Sequence, residues 1–463
     1  MDLTIAITVS PLIMRKKLIK NAQIINERKA SHGDVLLAGE RIEKIAGSIS
    51  GLKEKVTEID ASGLILMPGM IDAQVHFRDP GLTHKGDLAT ESMAAVAGGI
   101  TSFMDMPNTL PNVLTQELLE QKYRLAKEKS LANFSFFMGV GQENLEEALR
   151  TDAETVCGIT DDGLYFNKEN GILANYPEFL EKLFSRTETL VALHCEDDDI
   201  IKTNTQIYRE QFGENIPFAY HPLIRSEQAC VEATERVLQI AEKHKTRFHL
   251  LHVSTGAEAR LLDNASPTRD KRITAEACVH HLWFTANDYD ALGAKIKWNP
   301  AIKKESNREE LLKALDENRL DSIATDHAPH TWEEKSGSYF EALSGGPLVQ
   351  HALLSLFELY HQNKISLETI VEKTSHNVAE LYRIQDRGYI REGYFADLVL
   401  VDLHKDSQVK QNNLLYKCNW SPFLDKTFGS TVTHTFVNGH LVYKNGEIDT
   451  SVKGQRLGFE KTR

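Results

Sequence analysis

Five strings in this chain put imidazoles, carboxylates and amides where a chemical site needs them. They are Gln74-Val75-His76-Phe77-Arg78, Thr160-Asp161-Asp162-Gly163, His194-Cys195-Glu196-Asp197, Leu251-His252-Val253-Ser254-Thr255, and Ala324-Thr325-Asp326-His327-Ala328-Pro329-His330. Imidazoles and carboxylates together suit zinc or a similar borderline ion. Three or four protein ligands with an open position lower the pKa of a bound water to about 7. A nearby carboxylate can then take a proton from that water and pass it to a leaving nitrogen, and Asp326 is the candidate for that role. Taken singly, each string has a plainer reading. A histidine at a strand end is more often a hydrogen-bonded structural residue, and Asp161-Asp162-Gly163 reads as a turn. What favours a site is the joint pattern of His76, His194, His252, Asp162 and Asp326 at the ends of successive apolar runs.

Those runs are the elements that must position the side chains. Candidate strands are Ile71–His76, Thr101–Met106, Phe134–Met138, Val156–Thr160, Leu190–Leu193, Arg247–His252, Arg272–Ala275 and Ser322–Thr325. Helical patterns lie between them. In Ser226–Lys243, for example, Cys230, Ala233, Val237, Ile240 and Ala241 recur at spacings of three and four, and Ser226 is a plausible N-cap. Eight strand-helix units over residues 68–385 predict an α/β architecture, a (β/α)8 TIM-type barrel. In a closed barrel all strand C-termini meet at one face, so residues distant in sequence converge there.

The flanks read differently. Residues 14–67 carry short alternating segments such as Ala22–Ile25, Asp34–Leu37 and Arg41–Ile45. Residues 386–463 carry Asp397–Val401 and a hairpin pattern around Asn438-Gly439. Together they predict a small discontinuous β-sandwich built from both termini. Residues 1–13 read as a loose N-terminal extension, because their mildly apolar run precedes the basic cluster Arg15-Lys16-Lys17, the reverse of a secretory signal.

The balance of 53 Lys and Arg against 66 Asp and Glu gives a formal charge of −13. That argues against nucleic acid as a partner, which needs a broad basic face. It leaves room for a small anionic substrate, because a metal and one arginine can set the local field. Five cysteines without a CxxC pattern argue for a reduced compartment, taken here as the cytoplasm. No apolar run is long enough to suggest a membrane span. Gly139-Val140-Gly141 lacks the third glycine of a dinucleotide loop, and HExxH does not occur.

The strings also resemble a known family. Pro68–Gly81, Met106-Pro107-Asn108-Thr109, Thr160–Gly163, His194–Asp197, His252–Thr255, Asn299-Pro300, Ile323–His330 and the tail Gly393–Val399 resemble long-form dihydroorotases of the amidohydrolase superfamily, relatives of hydantoinases and allantoinases. The resemblance covers nearly the whole chain. It implies zinc-dependent, reversible hydrolysis of a cyclic amide, with dihydroorotate and N-carbamoyl-L-aspartate on the two sides, in de novo synthesis of UMP.

It also implies roles. Asp162 would bridge two metals, where hydantoinases carry a carboxylated lysine. His194 and His252 would hold the second metal, and His76 and Asp326 the first. Arg78, Asn108, Asn299 and His330 would hold the substrate carboxylate and ring. Thr331–Gly346 would form a mobile loop over the site. A homodimer or larger assembly is the implied state, and association with a carbamoyltransferase is the partner expected if the chain serves as a scaffold.

The family's first motif is Asp-x-His-x-His. Here it reads Asp72-Ala73-Gln74-Val75-His76, so Gln74 stands where a ligand histidine is expected. An amide oxygen is a weaker zinc ligand than imidazole. One tightly held zinc in the second site and a weak or empty first site are therefore expected. Two other readings stay open: a catalytically silent scaffold that binds a pyrimidine-pathway partner, and a related cyclic amidase acting on allantoin or a hydantoin.

Overall fold

Alternation of apolar strand and amphipathic helix builds a parallel barrel. The structure, a computed structural model, describes residues 16–164 and 172–460. Its barrel strands run Met70–Val75, Ile100–Asp105, Asn133–Phe136 continuing as Met138–Gly139, Ile159–Thr160, Val191–Leu193, Phe248–Leu250, Ile273–Cys278 and Ser322–Ala324. Neighbours pair in parallel along this order. A parallel bridge between Val75 and His327 joins the last strand to the first, with the His76 amide donating to the His327 carbonyl at 2.8 Å. Strands so enclosed are covered on both faces, which is why Met70–Val75 is buried at every position and reads as a continuous apolar run broken by Asp72 and Gln74.

The outer helices follow their sequence signals. Ser226 caps the helix Glu227–His244, its hydroxyl accepting from the Ala229 amide, and Ala229, Cys230, Ala233, Val237 and Ala241 face inward. Asp87 and Thr90 form a capping box at the start of Leu88–Ala97.

The two ends of the chain meet in one mixed nine-stranded sheet. Lys17–Asn26 pairs in parallel with Ile65–Pro68, and Ile65–Pro68 pairs antiparallel with Leu398–Asp402. The expected β-sandwich is thus hydrogen-bonded as a single sheet. One face, with Ile25, Ile65, Met67, Val399 and Val401, joins the main core; the other, with Ile24, Leu37, Leu66, Leu398, Leu400 and Phe436, forms a core of its own. Alternation along each strand divides the side chains between the two. Asn438 and Gly439 turn the hairpin between Thr431–Val437 and His440–Lys444 with φ of 49° and 69°, the left-handed pair a tight two-residue turn requires. The expected extension at residues 1–13 lies outside the described residues.

Candidate functional site

Each of the five strings ends a barrel strand at the same face, and their side chains converge. Two groups of ligand-type atoms form there: Asp162 with His194 and His252, and His76 with Asp162 and Asp326. Within each group the atoms lie within 4.8 Å of one another, and all the residues are buried. Asp162 belongs to both groups. Its Oδ2 lies 3.3 Å from His76 Nε2, and its Oδ1 lies 3.8 Å from both His194 Nδ1 and His252 Nε2.

Neighbouring groups fix how each imidazole presents itself. His194 Nε2 lies 2.7 Å from Glu196 Oε2 and donates to it, which leaves Nδ1 as the acceptor facing His252 Nε2 at 3.0 Å. Glu196 is itself paired with Arg225. A carboxylate on the far nitrogen is how metal-binding histidines are commonly oriented. His76 Nδ1 donates to Asn108 Oδ1 at 2.8 Å, so Nε2 faces the carboxylates of Asp326 at 3.1 Å and Asp162 at 3.3 Å. Three acceptor atoms turned toward one another need a cation among them, either a proton or a metal. The donors at both groups therefore suit a divalent ion of the zinc type.

The protonation pattern agrees with this crowding. Burial pulls the His76 pKa down, but the hydrogen bonds to Asp162 and Asp326 outweigh it and raise the pKa to about 9. Burial also acts to raise Asp162, yet His252 and His76 hold it well below the usual carboxylate range. Asp326 is raised, chiefly by burial, with His76 opposing.

Gln74 sits inside this cluster, fully buried. Its Nε2 donates to Asp162 Oδ2 at 3.2 Å, and its Oε1 accepts from the Cys278 thiol at 3.5 Å. The amide thus serves as a hydrogen-bond donor to the shared carboxylate. Just below, Asp72 accepts from the Thr325 amide at 3.0 Å and hydroxyl at 2.6 Å, tying the first strand to the segment that carries Asp326.

A cavity of about 340 Å³ opens beside the cluster. His76, Asp162 and Asp326 form its floor, and Arg78, Asn108, Asn299 and His330 line its walls. All the expected site residues but Gln74, His194 and His252 reach this cavity; those three lie within the cluster behind it. Arg78 is 5% exposed, and burial lowers its guanidinium pKa to about 10. Its Nε donates to the Pro329 carbonyl at 3.1 Å, which aims the fork. Three of the site residues hold left-handed backbone conformations, Arg78 at φ 68°, His252 at 35° and Asp326 at 49°. Such strain in non-glycine residues costs on the order of 1–3 kcal/mol each and clusters where function demands it. Gly163, at φ 72°, allows a close approach, since a Cβ there would lie 2.2 Å from Asn108 Nδ2.

Lys85 is a cavity residue that the strand-end pattern did not flag. Its Nζ donates to His330 Nδ1 at 3.1 Å and pairs with Glu334 at 2.9 Å. His330 Nε2 lies 3.0 Å from the Ser344 carbonyl and 3.3 Å from Arg78 Nη2, so it faces an acceptor and a donor at once. Burial, together with Arg78 and Lys85, holds the His330 pKa well below its ordinary value, although Glu334 opposes them. The segment Thr331–Gly346 packs at the mouth, where Leu343, Ser344 and Gly345 join the lining. Lys335 pins it from beneath, donating to the carbonyls of Leu343 and Gly345, each at 2.7 Å. No helix among the described residues is long and apolar enough to cross a membrane.

Comparison with known proteins points the same way. The chain is 30% identical over 439 residues to a dihydroorotase of Methanosphaera stadtmanae, covering 94% of this chain and 98% of that one. It is 28% identical over 452 residues to an allantoinase of Desulfitobacterium hafniense, covering 95% and 98%. L-Hydantoinase from Arthrobacter aurescens shares the fold, with a TM-score of 0.89 at 22% identity over 96% of this chain and 100% of that one. Residues 65–442 match the amidohydrolase family, and the chain belongs to that family.

Proposed function

We propose that this protein is a metal-dependent cyclic amidohydrolase acting as a dihydroorotase. It would open the ring amide of (S)-dihydroorotate reversibly to N-carbamoyl-L-aspartate, a step of de novo pyrimidine synthesis. The observation that carries the reading is that one cavity joins the buried His and Asp donors to a buried arginine. A ring amide needs the first, and a carboxylate-bearing substrate needs the second.

Zinc would be held by Asp162, His194 and His252, tightly and as a single ion, with the group His76, Asp162 and Asp326 weak or empty because Gln74 is a poor ligand. A divalent ion bound there would polarise the ring carbonyl and lower the pKa of a water. The chain's own groups do the rest. Asp326, which lines the cavity and has a pKa raised by burial, takes the proton from the attacking water and returns it to the departing ring nitrogen. Asn108 fixes the His76 ring through Nδ1. Arg78 receives the substrate carboxylate in a two-point fork, and Asn299 and His330 orient the ring.

The allantoinase relative favours a second reading, a cyclic amidase for allantoin. Arg78 argues for a carboxylate-bearing ring instead. Purified, metal-replete protein assayed in parallel with dihydroorotate, allantoin and a hydantoin tests both. Turnover of dihydroorotate well above the others is expected. Turnover of allantoin or the hydantoin alone would overturn the substrate, and no turnover of any would favour a silent scaffold.

A further inference from the structure

The opposite face of the barrel carries a second feature of chemical interest. A cleft of about 560 Å³ opens where the chain enters three adjacent strands, Val191–Leu193, Phe248–Leu250 and Ile273–Cys278. Lys245, Arg247, Arg269, Arg272 and Arg383 line it. Lys271 and His244 line it too, but are each paired with a carboxylate, Lys271 with Asp321 at 2.9 Å and His244 with Glu181. The carboxylates in the lining are Glu188 and Asp270. Such an excess of cations in one cleft runs against a chain whose formal charge is −13.

Ion pairs do not account for it. Among the described residues, Arg247 donates to the Leu381 carbonyl at 2.8 Å and Arg272 to the Lys245 carbonyl at 2.9 Å, neutral acceptors in both cases. Arg269 comes only to 3.8 Å of Glu380. Arg383 Nη1 is shielded from solvent and has no hydrogen-bond partner. Burial, then repulsion from Arg383 and Arg272, lowers the Arg247 pKa to about 10. A guanidinium N–H shielded from water and left unmatched is unfavourable, and clustered like charges add to that. Arg269 and Arg383 also line an adjoining cavity of about 350 Å³, with Arg387 and Arg391 and the carboxylates Asp270, Glu380, Asp386 and Glu460.

We propose that this cleft is a binding site for a phosphate-bearing polyanion, with the half-buried Arg247 and Arg383 as its inner donors and the exposed Lys245 and Arg272 at its rim. Guanidinium groups supply paired donors that match phosphate oxygens, and several cations converging on one cleft suit a ligand with two or more phosphates. The site is separate from the hydrolase cavity, and the inference does not rest on the reading of that cavity.

Calorimetric titration of the full-length protein with inorganic tripolyphosphate at low salt tests it. Saturable binding is expected. Arg247→Gln with Arg383→Gln should weaken it at least about tenfold, through the loss of charge-assisted hydrogen bonds to the phosphates. Lys245→Gln with Arg272→Gln, at exposed positions that do not endanger folding, should also weaken it. Arg78→Gln in the other cavity should leave it within about twofold. A nucleoside triphosphate titrated alongside shows whether the phosphates alone are read or a nucleotide is the source. Absence of saturable binding, parental affinity in both double variants, or loss of binding in Arg78→Gln would overturn the proposal.

Discussion

Gln74 Nε2 donates a hydrogen bond to Asp162 Oδ2 at 3.2 Å, on the carboxylate shared by both candidate metal groups. The Cys278 thiol occupies the amide oxygen, so the carboxamide is held in this orientation from both ends. Protein dialysed extensively should therefore retain about one zinc per chain. Gln74→His should raise retention toward two, because imidazole is the stronger ligand. Elemental analysis reads both numbers. Two ions retained by the unaltered protein would refute the one-metal expectation.

Asp326→Asn keeps the shape of the cavity floor but removes the proton acceptor. General-base loss of this kind lowers kcat by about 100- to 10,000-fold. KM for the favoured substrate should move by no more than a few-fold. Steady-state kinetics would exclude the proton-transfer role if kcat fell by less than tenfold.

Arg78→Gln should cost about tenfold or more in kcat/KM, the worth of a charge-assisted hydrogen bond lost from a buried site. Arg78→Lys should not restore it, since an ammonium cannot offer the two-point fork. A neutral ring analogue without a carboxylate should be handled alike by both variants and the parent. Equal loss on that analogue would show that Arg78 supports the fold of the site instead.

Lys85 donates to His330 Nδ1 and, with the Ser344 carbonyl, biases the ring toward its Nε2–H tautomer against Arg78 Nη2, a donor 3.3 Å from Nε2. Lys85→Met removes the donor and leaves Glu334 facing His330 Nδ1, now at 3.5 Å, as the sole charged neighbour on that side. The ring should then turn over its tautomer, with Nδ1 donating to Glu334. Lys85→Met should lower kcat/KM, and Lys85→Gln, which retains a donor, should recover most of that loss. If methionine and glutamine at this position behaved the same, the tautomer argument would fail.

His351 predicts a pH effect away from the site. It is 3% exposed and lies 3.0 Å from the Tyr416 hydroxyl, and burial pushes its pKa down to about 3. The unfolded chain takes up that proton below about pH 6.5 while the folded chain does not. Its contribution to stability is therefore present above pH 6.5 and is lost as pH falls toward 3, by up to about 1.4 kcal/mol per pH unit. Denaturant melts between pH 6 and 4 should show a shallower slope in His351→Gln, and an unchanged slope would rule this histidine out.

Much of the barrel was legible because enclosed parallel strands leave short apolar runs, and polar residues at their ends stand out against them. His76, Asp162, His194, His252 and Asp326 were found in that way, and they meet. Lys85 was not, because it reaches the cavity through two successive turns after Arg78, and turns leave no period to read: the Leu82 amide donates to the Arg78 carbonyl, and the Lys85 amide to the Leu82 carbonyl, both at 3.0 Å. The purpose of Glu196 was likewise hidden, since it depends on Arg225, a residue brought alongside only by the folded helices. Alternation revealed strands at both ends of the chain but not that they pair as one sheet, because register between distant segments is set by packing and not by local pattern.

The pairing of Ile65–Pro68 with Leu398–Asp402 has a consequence for biosynthesis. The early strands emerge from the ribosome long before their partners, and must wait, one edge uncovered, while the entire barrel is made. Release of the last segment then completes the sheet. A nascent chain stalled before Leu398 would expose that edge and be the species most prone to stick to its neighbours.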